Sequence, residues 1–333
     1  MSPVRRAAWP ALMLSALLVG GCDEVKVEKR ASPQSAAEPR ERHLEGVRPL
    51  TRDGVNRQAS FSRDGRSIVW LRRAVAGDDF AIYTMTADGG NPTFIDTGPG
   101  RSHDPAFAPD GLSILCAMSD PRGRDAPRAD ADDLWLFDPT LDLYSCALDG
   151  STRVALTAAP GYDAEGSWSW GGTKIVFTSL RDGEGALWLM DADGAAQTKL
   201  LALPYAGGAR ISPDGRSVVF HGALIRETRE MDIYVADLAG GMPRQLTQLK
   251  ATSLTPAWHP SQQVIVFASD AADQDFELWM VRPDGSGLER LTWSRGFDGF
   301  PCFSPDGQLL IWTSQRGATA EGQTHIWRAT WRG

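Results

Sequence analysis

The chain has 333 residues, a formal charge of −8, and 12 Trp, 34 Gly and 21 Pro in a composition that is 42% hydrophobic and 23% charged. That balance excludes a disordered or collagen-like chain, and an acid excess with no basic block excludes nucleic acid as a partner. The length fits two ordinary domains or one large all-β ring.

Residues 1–22 read as an export signal. Arg5 and Arg6 precede the apolar run Ala11 to Val19, which is too short to span a bilayer as a mature helix. The run ends in Val19-Gly20-Gly21-Cys22. This resembles the lipobox of bacterial lipoproteins, which implies lipidation of Cys22. Residues 23–43 are polar, charge-balanced and poor in aromatics, and read as a flexible tether. The two segments together carry a net +2, so residues 44–333 hold a net −10.

From residue 44 onward the sequence repeats. Six hairpin turns align: Phe61 to Gly65, Phe107 to Gly111, Trp168 to Gly172, Ile211 to Gly215, Trp258 to Gln262 and Phe303 to Gly307. Successive turns are 46, 61, 43, 47 and 45 residues apart. A second strand then carries Trp70, Cys116, Phe177, Phe220, Phe267 or Trp312, and a third carries Tyr83, Tyr144, Trp188, Tyr234, Trp279 or Trp327. Four units reach a second Asp-Gly turn, and three close on Leu156-Thr157, Leu246-Thr247 or Leu291-Thr292. Pro-Asp-Gly closes a tight hairpin, since Pro presets φ and Gly tolerates φ > 0. One four-stranded meander cannot bury both of its faces, so six are expected to stack radially.

The sixth unit stops after its third strand, and an orphan strand, Gly46 to Thr51, precedes the first unit. The expected fold is therefore an all-β, six-bladed β-propeller of four-stranded antiparallel blades over residues 44–333. The N-terminal strand should complete the last blade, and the closed ring should be a monomer. The repeated Phe-Ser-Pro-Asp-Gly, aromatic, Asp-Gly and Leu-Thr phrases resemble the TolB-like family of six-bladed propellers (WD40-like repeats). The small α/β domain that precedes the propeller in TolB itself has no counterpart in this sequence. The resemblance implies a binding scaffold in the cell envelope.

Alternation of strand direction puts the stereotyped Asp-Gly turns at one end of the ring. The second–third loops and inter-blade loops, where the sequence diverges, share the other end, the default place for binding on a regular scaffold. The longest loop, Ser119 to Thr140, carries six Asp plus Trp135 and Phe137. It reads either as a partner-binding hairpin or as a segment whose aromatics fold back onto blade two. A second candidate is the channel mouth. The residues eight before each turn Asp, or its equivalent, are Asn56, Ser102, Asp163, Ala206, Ser253 and Asp298. Those six before are Gln58, Asp104, Glu165, Gly208, Thr255 and Phe300. Repeat symmetry would let Asp104, Asp163, Glu165 and Asp298 converge, with His103 and Tyr162 nearby. Such oxygen ligands suit Ca²⁺ or a cationic group of a partner. Alternatively, each carboxylate satisfies backbone N–H groups of its own inter-blade turn.

No phosphate loop, dinucleotide fingerprint, zincin or nucleophile-elbow motif occurs, and the five His are scattered. Cys116 and Cys146 should be cross-strand neighbours, as a disulfide or as two core thiols. The expected function is non-enzymatic: a propeller lipid-anchored to the inner or outer membrane, on the periplasmic side, binding an envelope protein, peptide or glycan. The rival is a carbohydrate lyase or hydrolase using the channel-mouth carboxylates.

Overall fold

A computed structural model describes residues 41–74, 79–119, 138–225, 230–272 and 275–333. The expected signal, Cys22, most of the tether, Trp135 and Phe137 lie outside the described residues. All regular structure among the described residues is β, in six four-stranded antiparallel sheets. The innermost strands are Val55–Phe61, Ser102–Phe107, Asp163–Trp168, Tyr205–Ile211, Ser253–Trp258 and Asp298–Phe303. Each blade then runs outward in sequence order. The exception is the sixth, whose outermost strand is the N-terminal Leu44–Pro49, paired antiparallel with His325–Trp331. That pairing closes the ring with both chain ends in one sheet, and it meets the sequence expectation.

The fold takes in residues that precede the repeat pattern. Glu41, assigned above to the tether, is only 3% exposed. Arg316 donates to both of its carboxylate oxygens and also to Asp298 Oδ2 at 3.0 Å. Leu44 follows it into the apolar cluster between blades five and six, beside Leu291, Phe303, Trp312 and Trp327. Each of the six blade interfaces has one such cluster, and Trp70, Phe177, Phe220, Phe267 and Trp312 of the second strands are all but fully buried. The core is thus distributed around the ring.

The hairpin turns behave as their chemistry demands. Gly65, Gly111, Gly172, Gly215 and Gly307 all take φ between 70° and 72°. In blade one, Ser62 Oγ donates to Asp64 Oδ1 at 2.6 Å, and the same oxygen accepts the Arg66 N–H. Ser212–Asp214 and Ser304–Asp306 repeat this clasp, and the donated bonds hold all three carboxyls below their usual range. Blade five lacks the Asp-Gly pair, and there Gln262 is forced to φ 60°.

A candidate binding site at the channel mouth

The feature that shapes the channel is a bulge repeated in all six innermost strands. Pairing runs Asp163↔Ser179 and Ala164↔Thr178, then resumes at Ser167↔Val176, so one extra residue sits on the inner strand. The other five blades shift register at the equivalent place. At its centre stands the residue six before the turn Asp: Gln58, Asp104, Glu165, Gly208, Thr255 and Phe300, all with φ between 49° and 60°. Five are not glycine. Each pays about 1–2 kcal/mol for that conformation, which persists only where the surroundings over-determine it.

Hydrogen bonds passed from blade to blade do so around part of the ring. The Asp104 N–H donates to Gln58 Oε1 at 3.3 Å, and Gln58 Nε2 donates back to Asp104 Oδ1 at 2.5 Å. The Asp104 carboxylate in turn accepts the backbone N–H of Glu165. Glu165 Oε2 accepts the Gly208 N–H at 2.8 Å and the Thr178 hydroxyl at 2.5 Å. Gln58, Asp104 and Glu165 thus each satisfy the amide that the next blade's bulge turns inward, a group that would otherwise be orphaned.

The same bulge separates residues that the sequence pattern placed together. Because the extra residue breaks the alternation of faces, the residues eight before the turn do not join the ring. Asp163 and Asp298 are both 0% exposed, inside their blades. Asp163 accepts from Ser179 Oγ at 2.5 Å and Arg181 Nη2 at 2.6 Å. Asp298 accepts from Arg316, Ser294 Oγ and Trp312 Nε1. The four carboxylates therefore split into a ring pair, Asp104 and Glu165, and two separate ion pairs. Among the described residues, no three His, Cys, Asp or Glu side chains are grouped as metal ligands, so the structure does not assemble the suggested Ca²⁺ set.

What does gather at the mouth is a polar cluster around Asp104 and Glu165. Burial, reinforced by the Glu165 charge, raises the Asp104 carboxyl to about 6. Burial, with the charges of both carboxylates, pushes the phenols of Tyr162 and Tyr205 well above their usual value. Burial also lowers His103 to about 3, helped by the charges of Arg57 and Arg101, so that ring is neutral. Tyr205 stacks at a tilt on His221, 5.8 Å between centroids. Gly207 and Gly208 make room for this gathering. A Cβ on Gly208 would lie 2.5 Å from the His221 ring, and one on Gly207 would lie 2.6 Å from the Tyr205 hydroxyl. Sequence reading missed Tyr205, although it occupies in blade four the place of Tyr162 in blade three, nine residues before the turn. It also missed Arg57, the blade-one counterpart of His103, which burial lowers to about 10 and which lies over the Phe80 ring at 3.9 Å.

No protein-family model matches the chain. An uncharacterized protein of Agrobacterium fabrum is 34% identical over 147 residues, 43% of this chain and 48% of that protein. A protein named as a TolB homolog of Chlorobium luteolum is 31% identical over 146 residues, 44% of this chain and 32% of that protein. The matched segments thus span half or less of these relatives. Among solved structures, TolB from Acinetobacter baumannii superposes with a TM-score of 0.62 at 20% identity, over 75% of this chain and 57% of that one. A TolB-type structure from Agrobacterium tumefaciens gives 0.61 at 20% identity, over 84% and 91%. An oligogalacturonate lyase in complex with manganese gives 0.51 at 16% identity, over 86% and 93%, a likeness of fold alone. On repeat pattern, sequence similarity and architecture together, the chain is a six-bladed β-propeller similar to those of TolB proteins.

Proposed function

We propose that this protein is a lipid-anchored periplasmic binding scaffold that engages an envelope protein or peptide at the channel mouth bearing the inter-blade loops. The observation that carries the reading is the ring of left-handed bulges. Five non-glycine residues hold a costly conformation at one level of the channel, and two of them, Asp104 and Glu165, act on the buried Tyr162 and the partly buried Tyr205. Local strain of this kind concentrates at functional sites. The partner chemistry that suits Asp104 and Glu165 is cationic: a Lys, Arg or amino-terminal group entering the mouth. The lipobox at Cys22 and the TolB-like relatives support the envelope location.

The test is crosslinking of the full-length protein in native membranes, followed by identification of captured chains. The isosteric variants Asp104→Asn and Glu165→Gln, combined with replacement of 121–136 by a short Gly-Ser linker that spares Ser119 and the buried Asp138–Arg101 pair, should abolish a specific capture while leaving the melting transition intact. Unchanged capture would refute the site. Asp163 and Asp298 are unsuitable probes, because changing them breaks buried ion pairs.

A second reading rests on Asp104 alone, whose carboxyl at about 6 stands beside Glu165 as an acid–base pair would. It predicts turnover of an envelope or plant polysaccharide that disappears in Glu165→Gln. Absence of turnover across such a panel would remove it.

A further inference from the structure

Beyond the ring of bulges, toward the hairpin turns, the channel widens into a cavity of about 250 Å³. The residues four before each turn Asp, or its equivalent, line it at one level: Ser60, Ala106, Ser167, Arg210, Ala257 and Cys302. Five are small and uncharged, so Arg210 has that level of the channel to itself. Its Nη1 donates to the Ala209 carbonyl at 2.9 Å. Among the described residues, no carboxylate forms an ion pair with it. Asp104, at the ring end of the cavity, is already engaged by Gln58 and by the Glu165 amide. The Arg210 charge reaches Asp104 and lowers its carboxyl, but the Ala209 carbonyl is the one hydrogen-bond acceptor that its guanidinium meets among the described residues.

Two groups of the same wall, Trp168 Nε1 and Thr255 Oγ1, are buried without a hydrogen-bond partner among the described residues. At the turn end, the Arg63 guanidinium lies 4.5 Å over the Trp170 ring and adds positive charge to the opening. Much of the remaining wall is aromatic, with Trp258, Phe107, Phe300 and Phe303. The cavity thus carries Arg210 midway, Arg63 at its opening and Asp104 at its ring end, and much of its wall is flat apolar rings. At about 250 Å³ it is smaller than the roughly 300–1,000 Å³ of drug-sized sites, so it suits a one-ring molecule better than a polymer chain.

We infer that this cavity is a ligand site for a small organic carboxylate with a planar apolar body, the carboxylate paired with Arg210 and the body against the aromatic wall. Arg210 supplies a charge-assisted contact, and the rings supply area. The cavity adjoins the proposed partner site at the ring, where Asp104 belongs to both, but Arg210 and Ala257 lie off the ring, so failure of their test would leave the proposed partner site standing.

The experiment is titration calorimetry on the full-length protein in detergent, with benzoate as the probe and its neutral counterpart benzamide as the control. Benzoate should bind, and benzamide should bind at least about tenfold more weakly. Arg210→Gln should weaken benzoate at least about tenfold while leaving benzamide within about twofold. Ala257→Leu, which fills the cavity at the level of Arg210, should abolish binding of both and keeps the test open if the arginine variant fails to fold. No heat with benzoate up to roughly 20 mM, equal affinity for benzoate and benzamide, or full binding by either variant would overturn the inference.

Discussion

The assignment of Asp163 to the blade interior can be tested by removing its cation. Arg181 Nη2 lies 2.6 Å from Asp163 Oδ2, and its Nη1 donates to Gln197 Oε1 at 2.8 Å. The arginine side chain is 13% exposed and the aspartate 0%. In Arg181→Met the apolar stem can still cover Trp188, but Asp163 keeps only the Ser179 hydroxyl. Breaking a buried pair from one side costs about 3–5 kcal/mol, and retention of that hydroxyl puts the expected loss near the lower end, about 3 kcal/mol. For a ring of this size that lowers the melting temperature by about 6 °C. Urea unfolding should report the same loss as a lower midpoint at unchanged slope. Adding Asp163→Asn removes the stranded charge, and the double variant should return to within about 1 kcal/mol of the parent. If Arg181→Met loses under about 1 kcal/mol, or the double variant is additive, the pair is not what holds Asp163 in place. Loss of partner capture at unchanged stability would mean that the carboxylate faces a ligand after all.

Two further outcomes follow from local chemistry. Gln262 holds φ 60° where the other five turns have Gly. Gln262→Gly should therefore stabilise the protein by about 0.5–1 kcal/mol, the left-handed cost less the entropy of Gly, whereas Gly307→Gln should destabilise it. The Asp104 carboxyl should titrate near 6 by carbon NMR, and lower in Glu165→Gln, because burial and the Glu165 charge both raise it. A carboxyl raised in the folded state gives stability that is full below its ordinary value and is lost as pH rises through the folded value. Stability should thus fall between pH 4 and about 6, and Asp104→Asn should flatten that slope; an Asp104 titration near 4 would contradict the burial argument.

Much of the architecture was legible in the residues themselves. Repeated turn chemistry and aromatic positions set the number of blades, because each hairpin is closed locally, three of them by their own Ser, Asp and Gly. The orphan N-terminal strand announced the closure, since a three-stranded last unit leaves an unpaired edge. That Cys116 and Cys146 neighbour each other across two strands was also readable; they sit diagonally in the register, with sulfurs 3.9 Å apart as free thiols. Glu41 was not readable as part of the fold, because its partner Arg316 lies 275 residues away.

The candidate site was legible only in part, for one physical reason. Counting back from each turn identified the ring residues Gln58, Asp104, Glu165, Gly208, Thr255 and Phe300, because a repeat places equivalent residues at equivalent heights. Counting could not tell that Asp163 and Asp298, two residues earlier, point elsewhere. Strict alternation puts both positions on one face of a strand. A single extra residue in each inner strand, stabilised by bonds to the neighbouring blade, reverses that. Sequence by itself determined the repeat, the turns and the ring. Only the tertiary structure decided which carboxylates meet in the channel, because a bulge depends on the register between strands and on what the next blade offers its exposed amide.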